Sequence, residues 1–283
     1  MVLPLAFFTR HHLYYYVSFL SHSYRYEKAL LMITVITCSR HPMPQSVQER
    51  NIAKTVGTPH EYRMIDASRG LLNFAAAYNW AARQAVGDLI VFLADDSYFM
   101  SMNWGAALEA KFGADGALGV VGVAGTQHLF RDKSSWTAAG RPFVKGRLVY
   151  HLQNSDFIAV AFSAEKGDHE VVACDGGMLA VRTDLVRQVW FDETTFTGEH
   201  FWDLDFCLRA RAMARVIVTS DITVKRMAQP VYGQAWQDAG AAYLRKHAAT
   251  LPVSCAEYPG APLPGPSAPM VNLRGKYSSD TIC

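Results

Sequence analysis

The chain has 283 residues, 50% of them hydrophobic and 18% charged, so a sizeable buried core is available and disorder is excluded as the default. A formal charge of +2, with no basic run of five or more, gives no argument for a nucleic-acid partner. Five scattered cysteines without a CxxC pair argue against a disulfide framework or a zinc site and favour a reducing, cytoplasmic compartment.

Residues 1–31 are rich in aromatics, among them Tyr14, Tyr15 and Tyr16, and are interrupted by Arg10, His11 and His12. A membrane span needs about 20 mostly apolar residues, and this segment is broken sooner. It also lacks the basic start and small-residue cleavage site of a secretory signal. It reads either as an accessory helix or membrane-surface anchor outside the core fold, or as sequence upstream of the true start; the accessory reading is preferred.

From Met32 onward strands and helices alternate. Residues 33–38 predict a strand, 45–56 a helix, 62–65 a strand and 71–85 a helix with apolar residues at roughly helical spacing. A short apolar strand over 89–93 runs into Asp95 and Asp96, followed by a helix from about 103 to 112 and a strand over 118–124. Such alternation predicts βαβ units and a parallel sheet. The loop after the first strand, Ser39-Arg40-His41-Pro42, has no glycine-rich phosphate pattern, and Gly119, Gly122 and Gly125 read as close strand packing. Residues 127–170 are less regular, with β-like runs at 148–152 and 157–162, and read as a small antiparallel insertion. A strand over 171–174 leads to Asp175-Gly176-Gly177, and a helix spans 183–189. An acidic cluster then opens a helix within 198–209, followed by strands at 216–219 and 222–224 and a helix over 234–250. After Pro252 the composition turns Pro/Gly/Ser-rich. The expected organisation is an accessory segment over 1–31, one α/β domain over 32–252 and a tail over 253–283.

The chemistry concentrates in acids. Ligands of open α/β sheets gather beyond the carboxyl ends of strands, where Asp95 and Asp96 fall. Adjacent carboxylates repel unless something neutralises them. A divalent metal holding a substrate diphosphate would do so; a solvated turn with an N-capping Asp is the plainer alternative. In the second cluster Asp203 and Asp205 lie two apart and do not share a helix face. Asp205 and Arg209, at i,i+4, read as a structural salt bridge. Asp203, between Trp202 and Leu204, is the candidate for chemistry, because a carboxylate in apolar surroundings needs a partner or a function. An acid placed in the first turn by the helix dipole is its alternative.

The order and spacing of these elements resembles the family 2 glycosyltransferases of GT-A fold, particularly the streptomycin-biosynthesis-type group. The matching residues are the opening strand, Ile65-Asp66, Asn79, Phe92-Leu93-Ala94-Asp95-Asp96-Ser97, the glycines 119–125, Asp175-Gly176-Gly177, Phe191-Asp192-Glu193 and the run from Trp202 to Arg209. The resemblance covers residues 32 to about 252. It implies an α/β nucleotide-diphospho-sugar transferase fold: a central, mostly parallel sheet flanked by helices, with a small antiparallel β insertion. It further implies a metal-assisted, inverting transfer from a nucleotide-diphosphate sugar, a UDP-sugar foremost, to an unknown acceptor. Asp66 would hydrogen-bond the base. Asp95 and Asp96 would reach the ribose and a Mg²⁺ or Mn²⁺ on the diphosphate, Asp175 would lie near the sugar, and Asp203 would be the general base. One departure stands out: Arg226 occupies the place where many relatives carry a metal-binding His. Arginine cannot ligate a metal, but its fork, with Lys225 beside it, can bind a diphosphate directly. His200, alone before a helix, reads as a polar or capping residue. The rivals are a catalytically silent GT-A-like domain binding nucleotide sugar or a protein, which Arg226 favours, and a nucleotidyltransferase, for which the loop after the first strand is a poor match.

Overall fold

β-Branched side chains stand at five of the seven positions of Ile33–Ser39, which is buried along its whole length and forms β1. The computed structural model describes residues 31–39, 45–70, 73–151, 157–228, 231–256 and 270–272. The segment expected over 1–31, apart from Leu31, and most of the tail after Pro252 lie outside these residues. After β1 come α1 (Gln45–Thr55), β2 (His60–Asp66), α2 (Phe74–Gln84), β3 (Leu89–Leu93), β4 (Ser97–Phe99), α3 (Trp104–Ala114), β5 (Leu118–Gly122), β6 (Ala124–Thr126) and β7 (His128–Leu129). The chain continues through β8 (Val144–His151), β9 (Phe157–Ala161), β10 (Asp168–Glu170), β11 (Ala173–Cys174), β12 (Met178–Arg182), α4 (Thr183–Val189), α5 (Trp202–Ala210), β13 (Arg215–Thr219), β14 (Val224–Arg226), α6 (Gln234–Lys246), β15 (Val253–Ser254) and β16 (Met270–Asn272).

The main sheet has the order β10-β13-β5-β12-β3-β1-β2. Strands β1, β2, β3, β5 and β13 run one way, while β12 and β10 run against them. Three of its six pairings are therefore antiparallel, where strand–helix alternation predicts a parallel sheet. One of the three comes from β10 at the edge and two from β12, a strand the sequence pattern does not reveal. Its residues Met178-Leu-Ala-Val-Arg182 pass directly into the helix at Thr183 without a turn residue to mark the boundary. The second sheet, β11-β6-β8-β14-β4 with β9 on β8 and β16 on β9, is antiparallel except where β14 meets β8. It contains the expected insertion and also recruits β4 and β14 from either side of it. The run expected as one strand over 118–124 is two strands, because the chain crosses between sheets at Val123. The three glycines are packing positions, as expected. A Cβ at Gly119 would lie 2.4 Å from Ala214 Cβ, one at Gly122 2.7 Å from Cys174 Cβ, and one at Gly125 2.3 Å from the Ala173 carbonyl oxygen.

Alternation along the strands builds a core on each face of the main sheet. Ile36, Cys38, Ile90 and Phe92 face one layer with α2, α4 and α5; Ile33, Val35, Leu89, Val91 and Leu93 face the other with α1 and α3. On the first face Tyr78, Phe92, Phe191 and Trp202 form an aromatic cluster with centroid separations of 4.8 to 5.8 Å. Asn79 binds the Phe191 backbone on both sides, its Nδ2 donating to the carbonyl and its Oδ1 accepting from the amide, each at 2.9 Å. Among the described residues no helix is long and apolar enough to cross a membrane.

Helix α5 is fixed by Asp205, which is 0% exposed. Arg209 Nε lies 2.9 Å from its Oδ2, and His247 Nε2 and Lys246 Nζ approach Oδ1 at 2.8 and 2.5 Å. The i,i+4 pair expected from the sequence is thus the core of a larger cluster that ties α5 to the end of α6. Burial alone would raise this carboxyl, but His247, Arg209 and Lys246 outweigh it and hold it below its ordinary value of 3.8. A depressed carboxyl stabilises the fold above its unfolded-state range and loses that contribution as pH falls through the folded value. Replacing Asp205 by Ala leaves its basic partners unmatched and is expected to cost about 3–5 kcal/mol. Urea unfolding at neutral pH checks this, and a wild-type midpoint would make the cluster incidental.

Candidate active site

The antiparallel pairing of β12 with β3 sets Met178 opposite Leu93, so the loop before β12 and the loop after β3 end side by side. The Ala94 amide donates to the Gly177 carbonyl at 3.2 Å and locks the two loops together. The loop of Asp175 therefore lies beside that of Asp95 and Asp96, although about 80 residues of chain separate them. Gln48 closes the loop below, its Nε2 donating at 2.8 Å to the carbonyls of both Ala94 and Ser97.

Each acid has a different partner. Ser39, at the end of β1, donates its hydroxyl to Asp95 Oδ2 at 2.6 Å. Asp96 receives Arg226 Nε on Oδ1 at 2.7 Å and the Ala228 amide on Oδ2 at 3.1 Å. Asp175 accepts the Gly177 amide at 2.9 Å and has Arg226 Nη1 at 3.6 Å. Arg226 thus bridges two acids. Burial would lower its guanidinium, but Asp96 and Asp175 outweigh this and raise it.

Asp203 opens α5 beside this group, and the Gly176 amide donates to its Oδ2 at 2.6 Å. A Cβ at Gly176 would lie 2.8 Å from Asp203 Oδ2, and one at Gly177 would lie 2.9 Å from Arg226 Nη1. The carboxylate and the guanidinium therefore flank adjacent residues, whose Cα atoms are about 3.8 Å apart. Burial raises the Asp203 carboxyl, and the charge of Asp175 raises it further, to about 7 from an ordinary 3.8, against the opposing pull of the Leu204 and Gly176 amides.

Asp66 lies one strand further along, in register with Ser39 across β1 and β2. It is exposed, and the hydroxyl and amide of Ser68 hold its carboxyl below the usual value. The structure thus gathers Asp95, Asp96, Asp175, Arg226 and Asp203, with Asp66 at the rim. Lys225, expected to share the diphosphate with Arg226, points to the opposite face of β14, its ammonium 5.5 Å from the Tyr98 ring and 5.2 Å from that of Phe157.

At Asp96 the expected Mg²⁺ or Mn²⁺ does not fit. Both Asp96 oxygens already accept hydrogen bonds, and an ion on Asp96 would sit against the Arg226 guanidinium. Among the described residues no group of three or more His, Cys, Asp or Glu side chains is placed to hold a metal, and His200 joins none. Sequence reasoning missed Ser39 and Gln48 as site residues. The signal for Ser39 was its place at the carboxyl end of a central strand; a mid-helix Gln gives no such signal. A separate surface cavity of about 420 Å³ between α3 and β13 is lined by Lys111, which pairs with Asp168 and Asp221, and by Arg215, which pairs with Glu170.

This mixed sheet flanked by helices, with acids gathered at the carboxyl ends of its strands, is the GT-A arrangement. The model of the glycosyltransferase-like family matches residues 13–245, and the protein belongs to that family; the match does not extend to the streptomycin-type group. Similar solved structures include A197 from STIV, at 14% identity over 70% of this chain and 87% of that one, with a TM-score of 0.43. GalNAc-T7, solved with UDP, GalNAc and Mn²⁺, shares 11% identity over 75% of this chain and 46% of its own, with a TM-score of 0.49. S. aureus TarS 1–349 shares 12% over 70% and 60%, with a TM-score of 0.36. The chain spans less than two thirds of the latter two. No curated protein matches the sequence significantly.

Replacing Asp175 by Asn removes a like charge beside Asp203, so the Asp203 carboxyl should titrate below its value of about 7. Carbon NMR of labelled Asp carboxyls reads this directly; an unmoved titration would assign the whole shift to burial.

Proposed function

We propose that the protein is an inverting glycosyltransferase that moves a sugar from a nucleoside diphosphate, with UDP as the leading carrier, to an acceptor hydroxyl. The observation that carries this reading is Asp203: a carboxyl raised to about 7, against Gly176, with Arg226 across the neighbouring glycine. A general base works best with a pKa near the operating pH. As the acceptor oxygen bonds to the anomeric carbon, its proton passes to Asp203. The bond from that carbon to the diphosphate oxygen breaks on the opposite side, and its electron pair leaves on the diphosphate. A single displacement of this kind inverts the carbon.

Asp95, held by Ser39, is assigned to the ribose, Asp66 to the base and Asp175 to the transferred sugar. Exposed Tyr232, whose hydroxyl is raised by burial and by Asp175, offers a ring beside the sugar position. Metal assistance is left out of the proposal because Asp96 does not fit an ion. Among the described residues Cys38, Cys174, Cys207 and Cys255 are thiols outside any disulfide, which supports a cytoplasmic setting. The proposed organisation is an accessory segment over 1–31, with membrane-surface contact as its candidate role, a catalytic domain over 32–252 and a tail over 253–283. The silent-domain rival needs the donor-binding acids but gives no reason for the raised Asp203, which supports the enzyme.

Asp203→Asn is expected to lower transfer by about 10²–10⁴-fold, the usual worth of a general base, with UDP affinity unchanged. Nucleoside diphosphate release and calorimetry measure the two sides. Retained turnover would sink the base assignment. The wild-type rate should rise with pH through about 7 as Asp203 loses its proton.

A further inference from the structure

Resting on the donor-site reading above, we infer that Arg226 is the built-in cation of this site and that the nucleoside diphosphate binds without a divalent metal. The backbone puts the guanidinium there. Arg226 lies opposite Ser97, the residue after Asp96, across β14 and β4, and beside Tyr150 across β14 and β8. The next two residues secure the same acid: the Met227 amide donates to the Asp96 carbonyl at 2.9 Å, and the Ala228 amide to Asp96 Oδ2 at 3.1 Å. Three consecutive residues of one strand end thus hold a single aspartate.

The guanidinium does what an ion between acids would do. Its Nε is 2.7 Å from Asp96 Oδ1 and its Nη1 is 3.6 Å from Asp175 Oδ1. Room for it depends on Gly177, where any Cβ would come within 2.9 Å of both Arg226 Nη1 and Asp175 Oδ1. Arginine has five N–H donors, and among the described residues only the one on Nε is hydrogen-bonded. Nη2, and Nη1 beyond its ion pair with Asp175, supply a two-pronged fork, the geometry that matches phosphate oxygens. In the transfer step the fork meets the diphosphate oxygen that takes the electron pair of the broken bond. Asp96 then orients the guanidinium through Nε instead of ligating a metal.

Calorimetric titration of the full chain with UDP, GDP and dTDP, each in EDTA and in Mn²⁺, tests the inference. One nucleotide is expected to bind in EDTA, with little change on adding Mn²⁺. Arg226→Lys, with its melting temperature checked, should weaken that binding about tenfold through loss of the fork. Asp96→Asn removes the carboxylate that orients the fork, so binding in EDTA should weaken as well, by the same factor with and without Mn²⁺. Binding that appears only with Mn²⁺ and vanishes in Asp96→Asn would overturn the metal-free site while leaving the transferase reading intact. No binding of any nucleotide under either condition would overturn both.

Discussion

Repulsion among carboxylates is the constraint around which this protein is arranged. Asp95, Asp96, Asp175 and Asp203 converge at one end of the main sheet, where like charges disfavour ionisation of one another. Each is met by a different device: a strand-end hydroxyl for Asp95, a guanidinium for Asp96, a loop amide and the far side of that guanidinium for Asp175. Among the described residues Asp203 is met by backbone amides alone, and burial and the charge of Asp175 hold its proton to higher pH. The proposed reaction thus falls to the one acid that has no cationic or hydroxyl partner among the described residues.

That convergence depends on a strand running the wrong way. A wholly parallel sheet would have carried residues 175–177 to the opposite end from Asp95, because the loop preceding a parallel strand lies at its amino end. The reversed β12 brings the loop before it level with the loop after β3. Its register also fixes how far the glycines stand from Asp96.

The strands with clear periodicity or unbroken β-branched runs were readable from the sequence: β1 and β3 fall where their apolar patterns place them, and α4 has the predicted bounds. The strand β12 was not, since periodicity cannot separate a five-residue run from the helix it enters. The acids were legible one by one, because each ends a strand or opens a helix in apolar surroundings. Their partners were not. That Arg226 would reach both Asp96 and Asp175, and that Lys225 would turn away, depends on which face of a three-residue strand looks inward, and such a strand is too short to declare its phase. Asp205 was legible in part: its i,i+4 arginine is local, whereas His247 and Lys246 arrive from more than 40 residues away.

Two aspartates a residue apart on α5 thus have unrelated duties. Asp205 holds the helix to α6, while Asp203 faces the cleft and contributes nothing to that attachment. Selection can therefore act on them separately. A lineage that loses Asp203 inherits an undamaged scaffold, with the loops that carry Asp95, Asp96 and Asp175 intact. On the proposed transferase reading, descent from an ancestor with this helix would be expected to yield both working enzymes and folded, inert relatives that keep the same helix attachment.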